Sequence, residues 1–163
     1  MYQWVVFVHI LAALVWVGGM WFLALVLVPA LRREPPDRRA VLLEAVGRRF
    51  RTVGWVAIAV LLVTGVWNVA NRGFGWDVFT AGGRFGHILA GKLALIAVVL
   101  ALSALHDFRI GPASTRARLQ GDDPRRAESL RRLASWIGRV NALLALVVIW
   151  LAVALVRGLP WPW

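Results

Sequence analysis

Residues 4–31 read WVVFVHILAALVWVGGMWFLALVLVPAL, a stretch without a single Lys, Arg, Asp or Glu. A bilayer's hydrocarbon core is about 30 Å thick and takes about 20 helical residues to cross, so this run spans it with room for tilt. It does not read as a cleaved secretory signal. No basic segment leads it, no small-residue cleavage site follows, and the apolar run continues far beyond a signal's core. It reads as a retained first helix.

Three further spans follow the same logic. REPPDRR after the first run is a turn with a candidate N-cap at Asp37, and residues 38–51 are amphipathic in pattern. They lead into a second span at 53–70, as one long helix that starts before the membrane. Residues 71–86, rich in Gly and aromatics, form a loop whose Phe74, Trp76 and Phe79 suit the interface. The third span is 87–108, and Gly111-Pro112 is expected to break it. Asp123-Pro124 supplies an N-cap and a first helical position for a helix that runs through Trp136 into a fourth span at 140–156. The tail GLPWPW is an aromatic anchor. The expected fold is all-α, an integral membrane four-helix bundle forming one transmembrane domain over 1–163.

The charge of +11 invites a nucleic-acid reading. Its placement excludes one, because the arginines are packed between apolar runs. Segment 32–51 holds Arg32, Arg33, Arg38, Arg39, Arg48, Arg49 and Arg51. Segment 109–139 holds Arg109, Arg116, Arg118, Arg125, Arg126, Arg131, Arg132 and Arg139. The other side has Arg72, Arg84 and Arg157. Positive loops stay in the cytoplasm, which predicts both termini outside, in a bacterial-type inner membrane. There is no Cys, so disulfides, iron–sulfur clusters and thiolate metal sites are excluded.

Ionisable or strongly polar residues inside spans are functional candidates. Here they are His9, His87, Lys92, His106, Asp107 and Asn141, with Thr64 and Asn68 weaker. His9 sits about 8 Å inside the first span, on a stripe with Ala13, Trp16 and Met20. It should face the bundle interior with a partner. His87 opens the third span on the same side, and is read as level with His9. His106 is about 28 Å further along, so it cannot share a ligand sphere with His87; with Asn141 it marks a second, cytoplasmic-side site. Plainer readings exist: His87 as interfacial, Lys92 snorkelling, His106-Asp107 as a boundary pair. Gly18, Gly19, Gly65 and Gly138 read as close helix contacts. Neutral imidazole is a common ligand of haem iron and of copper. Two level histidines could clamp a haem, with Arg72, Arg84 or Lys92 meeting its propionates, or hold a copper ion. Copper(I) prefers sulfur, and beyond Met1 the one thioether is Met20.

His9-x6-Trp16-Val17-Gly18-Gly19, with Pro29-Ala30-Leu31, resembles the first helix of the copper-resistance D (CopD) family. RRFRTVGWVAIAVLLVTGVWN (48–68) and FGHILAGKLALI (85–96) resemble it too. His9, Lys92-Leu93, His106 and Arg139-Val140-Asn141 also resemble landmarks of the four-helix HemJ-type protoporphyrinogen oxidases. That family carries an acidic residue after the helix 4 asparagine, where this chain has Ala142. CopD proteins usually have additional helices. The resemblance implies a histidine-liganded haem or metal in the bundle.

The resulting expectation is a haem b-binding membrane protein with a redox role, in electron transfer or porphyrin or quinone oxidation. His9 is the ligand, with His87 or His106 as the second. Its expected partners are the lipid bilayer, a quinone or redox protein, and a second copy as a homodimer. The alternative is CopD-like copper binding or transport. A third reading is an assembly subunit without a cofactor.

Overall fold

The computed structural model describes residues 1–71, 84–119 and 123–157. The expected interfacial loop with Arg72, Phe74, Trp76 and Phe79, and the aromatic tail, lie outside the described residues.

Four long helices carry the fold: α1 (Tyr2–Arg33), α2 (Pro36–Ala70), α3 (Arg84–Ala117) and α4 (Pro124–Arg157). All four are long and apolar enough to cross a membrane. They run alternately up and down, so both arginine-rich connections lie at one end of the bundle, here the basic end. Tyr2 and Arg157 lie at the other. α1 packs on α2 and α3 on α4, while the last turns of α3 reach α2 and the middle of α1 touches α4.

The packing is that of a membrane bundle. Its buried core is built largely from small side chains: Ala12, Ala57, Ala142, Ala145 and Ala154, with Val17, Ile58, Leu89 and Val99. Bulkier apolar residues point outward, as Val63 (70 % exposed) and Val66 (72 %) do. In lipid there is no water for large side chains to escape, so small residues line the contacts and let helices approach closely.

Both long helices that begin outside the membrane form as expected. α2 runs unbroken from the basic connection into the bilayer. α4 starts at Pro124, with the Asp123 carboxylate accepting from the Arg125 N–H at 3.0 Å. That bond satisfies one of the free N–H groups of the first turn.

Two helix signals resolve differently. Asp37 is not the cap of α2: Pro35 is, with Pro36 at the first helical position and Asp37 inside the first turn. There its charge suits the positive end of the helix dipole. Gly111-Pro112 does not break α3. A π-helical turn at His106–Ile110 precedes it, and the helix continues through Gly111–Leu119. Proline lacks an N–H and its ring crowds the carbonyl four residues back; a wider turn there removes both problems. α1 uses the same device, a π-helical turn at Leu23–Leu27 just before Pro29. A third such turn covers Leu14–Gly18.

Three of the four glycines expected at helix contacts are there. A side chain at Gly19 would run into the Phe50 ring, one at Gly65 would meet His9 at 3.6 Å, and one at Gly138 would meet His106 at 3.8 Å. Gly18 faces open space instead, because the helix rotation that turns Gly19 toward α2 turns its neighbour away.

Candidate metal-ligand site and polar ladder

Polar side chains inside the bundle are grouped at three levels. Nearest the chain ends, His9 Nδ1 lies 2.7 Å from Thr64 Oγ1 of α2. Thr64 is buried, and its hydroxyl lies 2.6 Å from the Val60 carbonyl of its own helix. A hydroxyl has one proton, and a carbonyl can only accept. The Thr64 proton therefore goes to Val60, and the bond to His9 must be donated by the imidazole. This fixes the Nδ1–H tautomer and leaves the Nε2 lone pair available. Gly65, one residue on, gives the ring space.

At the middle level, Asn141 of α4 donates to Ser103 Oγ of α3 at 2.8 Å and lies 3.7 Å from Met20 Sδ of α1. Asn141 is 5 % exposed, and its Oδ1 has no partner among the described residues. Asn141 also sets the register of α1 against α3, which run in the same direction. Met20 and Ser103 are level, and each lies eleven residues beyond His9 and Lys92 respectively. Lys92, within electrostatic reach of His9, is thus the α3 residue at its depth. His87 lies five residues nearer the chain-end side, about 7.5 Å by helical rise, and is exposed. The expected depth match of His87 with His9 therefore gives way to a match with Lys92.

At the basic end, the Asp107 carboxylate binds two side chains at once. His106 Nδ1 meets Oδ1 at 3.0 Å, and the Trp55 indole N–H of α2 donates to Oδ2 at 3.1 Å. A carboxylate only accepts, so His106 Nδ1 carries a proton, with Nε2 toward Gly138. His106 and Asn141 share no hydrogen bond, but both lie on the α3–α4 contact: Asn141 meets Ser103, and one turn along each helix His106 Nε2 faces Gly138.

The other candidates fall around this ladder. Trp16 packs its indole against Gly54 of α2, near the close approach of Gly19 to Phe50. Arg84 opens α3, exposed at the chain-end side, and Arg72 lies outside the described residues. Among the described residues no three of His, Cys, Asp and Glu come together. Sequence reasoning ranks Thr64 only as a weaker candidate, because its hydroxyl can be satisfied on its own helix. Trp55 is the partner it misses, although an indole N–H inside a span signals a need for an acceptor.

These features define a four-span polytopic membrane protein with a pinned histidine inside its first span. The family model for copper resistance protein D matches residues 44–155, and the chain belongs to this CopD family. It is a multi-pass protein of a bacterial-type inner membrane. An uncharacterized protein of Aquifex aeolicus (strain VF5) is 32 % identical over 153 residues, 93 % of each chain. The copper resistance protein D of Pseudomonas syringae pv. tomato is 28 % identical over 148 residues, 83 % of this chain and 45 % of that protein. The chain thus spans less than half of that longer relative. No solved structure matches.

Proposed function

We propose that this chain handles a redox-active metal at the chain-end side of the bundle, with His9 Nε2 as its protein ligand and copper as the metal. One observation carries the reading: His9 Nδ1 lies 2.7 Å from the Thr64 hydroxyl, whose own proton faces the Val60 carbonyl, an arrangement that favours the Nδ1–H tautomer and leaves Nε2 to bind. Metal-ligating histidines are fixed in this way, by a bond from the other ring nitrogen. Copper is supported by membership of the CopD family. The donor set is sparse. There is no thiolate, Met20 Sδ is beside Asn141 at another level, and no cluster of three ligating residues forms among the described residues. These residues do not close a copper chelate within one chain. His9 is assigned as a single anchoring ligand.

That sparseness favours a second reading, haem b with a role in electron transfer or porphyrin or quinone oxidation. Haem iron needs only one or two axial ligands, and imidazole is the common one. The Lys92 ammonium at the depth of His9 suits a propionate. His87, His106 and a second copy of the chain remain the sources of any further ligand.

The deciding experiment is the purified protein and its His9→Ala, His87→Ala and His106→Ala variants, each measured for copper and iron per chain and for the optical spectrum. Copper that disappears in His9→Ala alone supports the proposal. A Soret band with reducible α/β bands, lost in His9→Ala, moves the assignment to haem. Full metal content and an unaltered spectrum in His9→Ala would refute both.

A further inference from the structure

At the basic end, α2 and the last turns of α3 leave a lateral groove of about 450 Å³. It is lined by Arg51, Thr52, Trp55, Val56, Ala59 and Phe108. Its lower wall is apolar and faces outward, with Val56 61 % exposed and Phe108 57 %. In a membrane bundle that surface faces lipid, not water. The upper wall is Arg51, whose guanidinium lies 5.9 Å from the centre of the Phe108 ring. Phe108 in turn packs on Trp55 with ring centres 5.4 Å apart and the planes tilted by 34°.

Arg51 makes no ion pair among the described residues, and its Nε is buried without a hydrogen-bond partner. The carboxylate of Asp107 accepts from His106 and from Trp55 and makes no ion pair with Arg51. A buried guanidinium N–H without an acceptor is costly, and an anionic oxygen is the strongest acceptor for it. Arg51 stands at the membrane boundary, two residues before the expected span. Val56 and Ala59 lie about 7 and 12 Å deeper along the helix. The groove therefore offers a cation at headgroup height and an apolar channel directly beneath.

We propose that this groove is a binding site for one anionic phospholipid, its phosphate on Arg51 and an acyl chain against Val56 and Ala59. The charge selects the headgroup, and the depth profile selects a lipid over a soluble anion.

The test uses the full chain in detergent, with phosphatidylglycerol, phosphatidylcholine and inorganic phosphate as probes. Bound lipid is counted by native mass spectrometry, and stabilisation is followed by thermal unfolding. Phosphatidylglycerol is expected to be retained in preference to phosphatidylcholine, and Arg51→Gln to weaken that retention about tenfold, the loss of a charge-assisted bond. Arg125→Gln, which removes an equal charge from an exposed position, should leave it unchanged. Val56→Trp should reduce retention by filling the channel while Arg51 is intact. If Arg51→Gln proves unstable, Arg51→Lys serves, keeping the charge but removing the Nε–H. Equal retention of the two lipids, or an unaltered preference in the Arg51 variant, would overturn the site. Displacement of the lipid by millimolar phosphate would do so too, making it a soluble-anion site.

Discussion

The bond between His9 and Thr64 ties the chemistry of the site to one hydroxyl. Thr64→Val keeps the shape of the side chain and removes the acceptor. The His9 N–H then has no fixed partner, and the ring is free to change tautomer. The expected stability loss is about 0.6–1.7 kcal/mol, the range for hydrogen bonds between membrane helices, read as a lowered unfolding temperature in detergent. Metal affinity should fall about 10- to 100-fold, as when a supporting partner of a ligating histidine is removed. Nitrogen NMR of labelled histidine checks the cause: the wild-type ring should be a pure Nδ1–H form and the variant a mixture. A pure Nδ1–H form in the variant would show that Thr64 does not set the tautomer. His9 itself stood out in the sequence because an imidazole that deep needs a partner. Its depth relative to α3 did not, because that register is fixed by Asn141 touching Met20 and Ser103, a contact no single segment reveals.

Helices were the most legible elements, since each apolar run exceeds what a bilayer demands. The Asp123-Pro124 start was readable for a local reason: cap and fixed φ act within one turn. Gly111-Pro112 was misread for a reason equally physical. A proline breaks a helix only if its ring meets a carbonyl in α-helical register, and the π-helical turn at His106–Ile110 changes that register. Glycine was ambiguous in the same way. Gly18 and Gly19 are adjacent and identical in type, yet one faces open space and the other the Phe50 ring. Substitution separates them. Gly19→Ala must push the Phe50 ring away and should cost about 1–3 kcal/mol, the usual range for overpacking. Gly18→Ala meets nothing and should gain up to about 1 kcal/mol from reduced backbone freedom. The difference is measured by thermal unfolding of both variants in one detergent. Equal effects would mean that α1 is rotated differently against α2.

At the scale of the whole molecule, four antiparallel spans put both chain ends on one side whichever way the bundle is inserted. Orientation is then a matter of charge alone. The arginines of segments 32–51 and 109–139 lie at one end, against Arg84 and Arg157 at the other among the described residues. Moving such loops across the membrane opposes both the potential and the anionic inner leaflet, so the basic end is expected to stay in the cytoplasm. His9 would then lie near the outer face, where a periplasmic metal or redox partner reaches it. The Arg51 groove would lie in the inner leaflet. Reporter fusions at Asp37 and at Asp122 are expected to behave as cytoplasmic, and one after Trp163 as periplasmic. A periplasmic signal at Asp122 would invert the bundle and put His9 on the cytoplasmic side. Neutralising part of the charge is the sharper test. Replacing Arg32, Arg33, Arg38 and Arg39 with Gln leaves the second basic segment intact, so the fusion after Trp163 should remain periplasmic. Removing the arginines of both segments together should give mixed orientations. If the orientation persists with both segments neutralised, something other than positive charge holds the bundle in place.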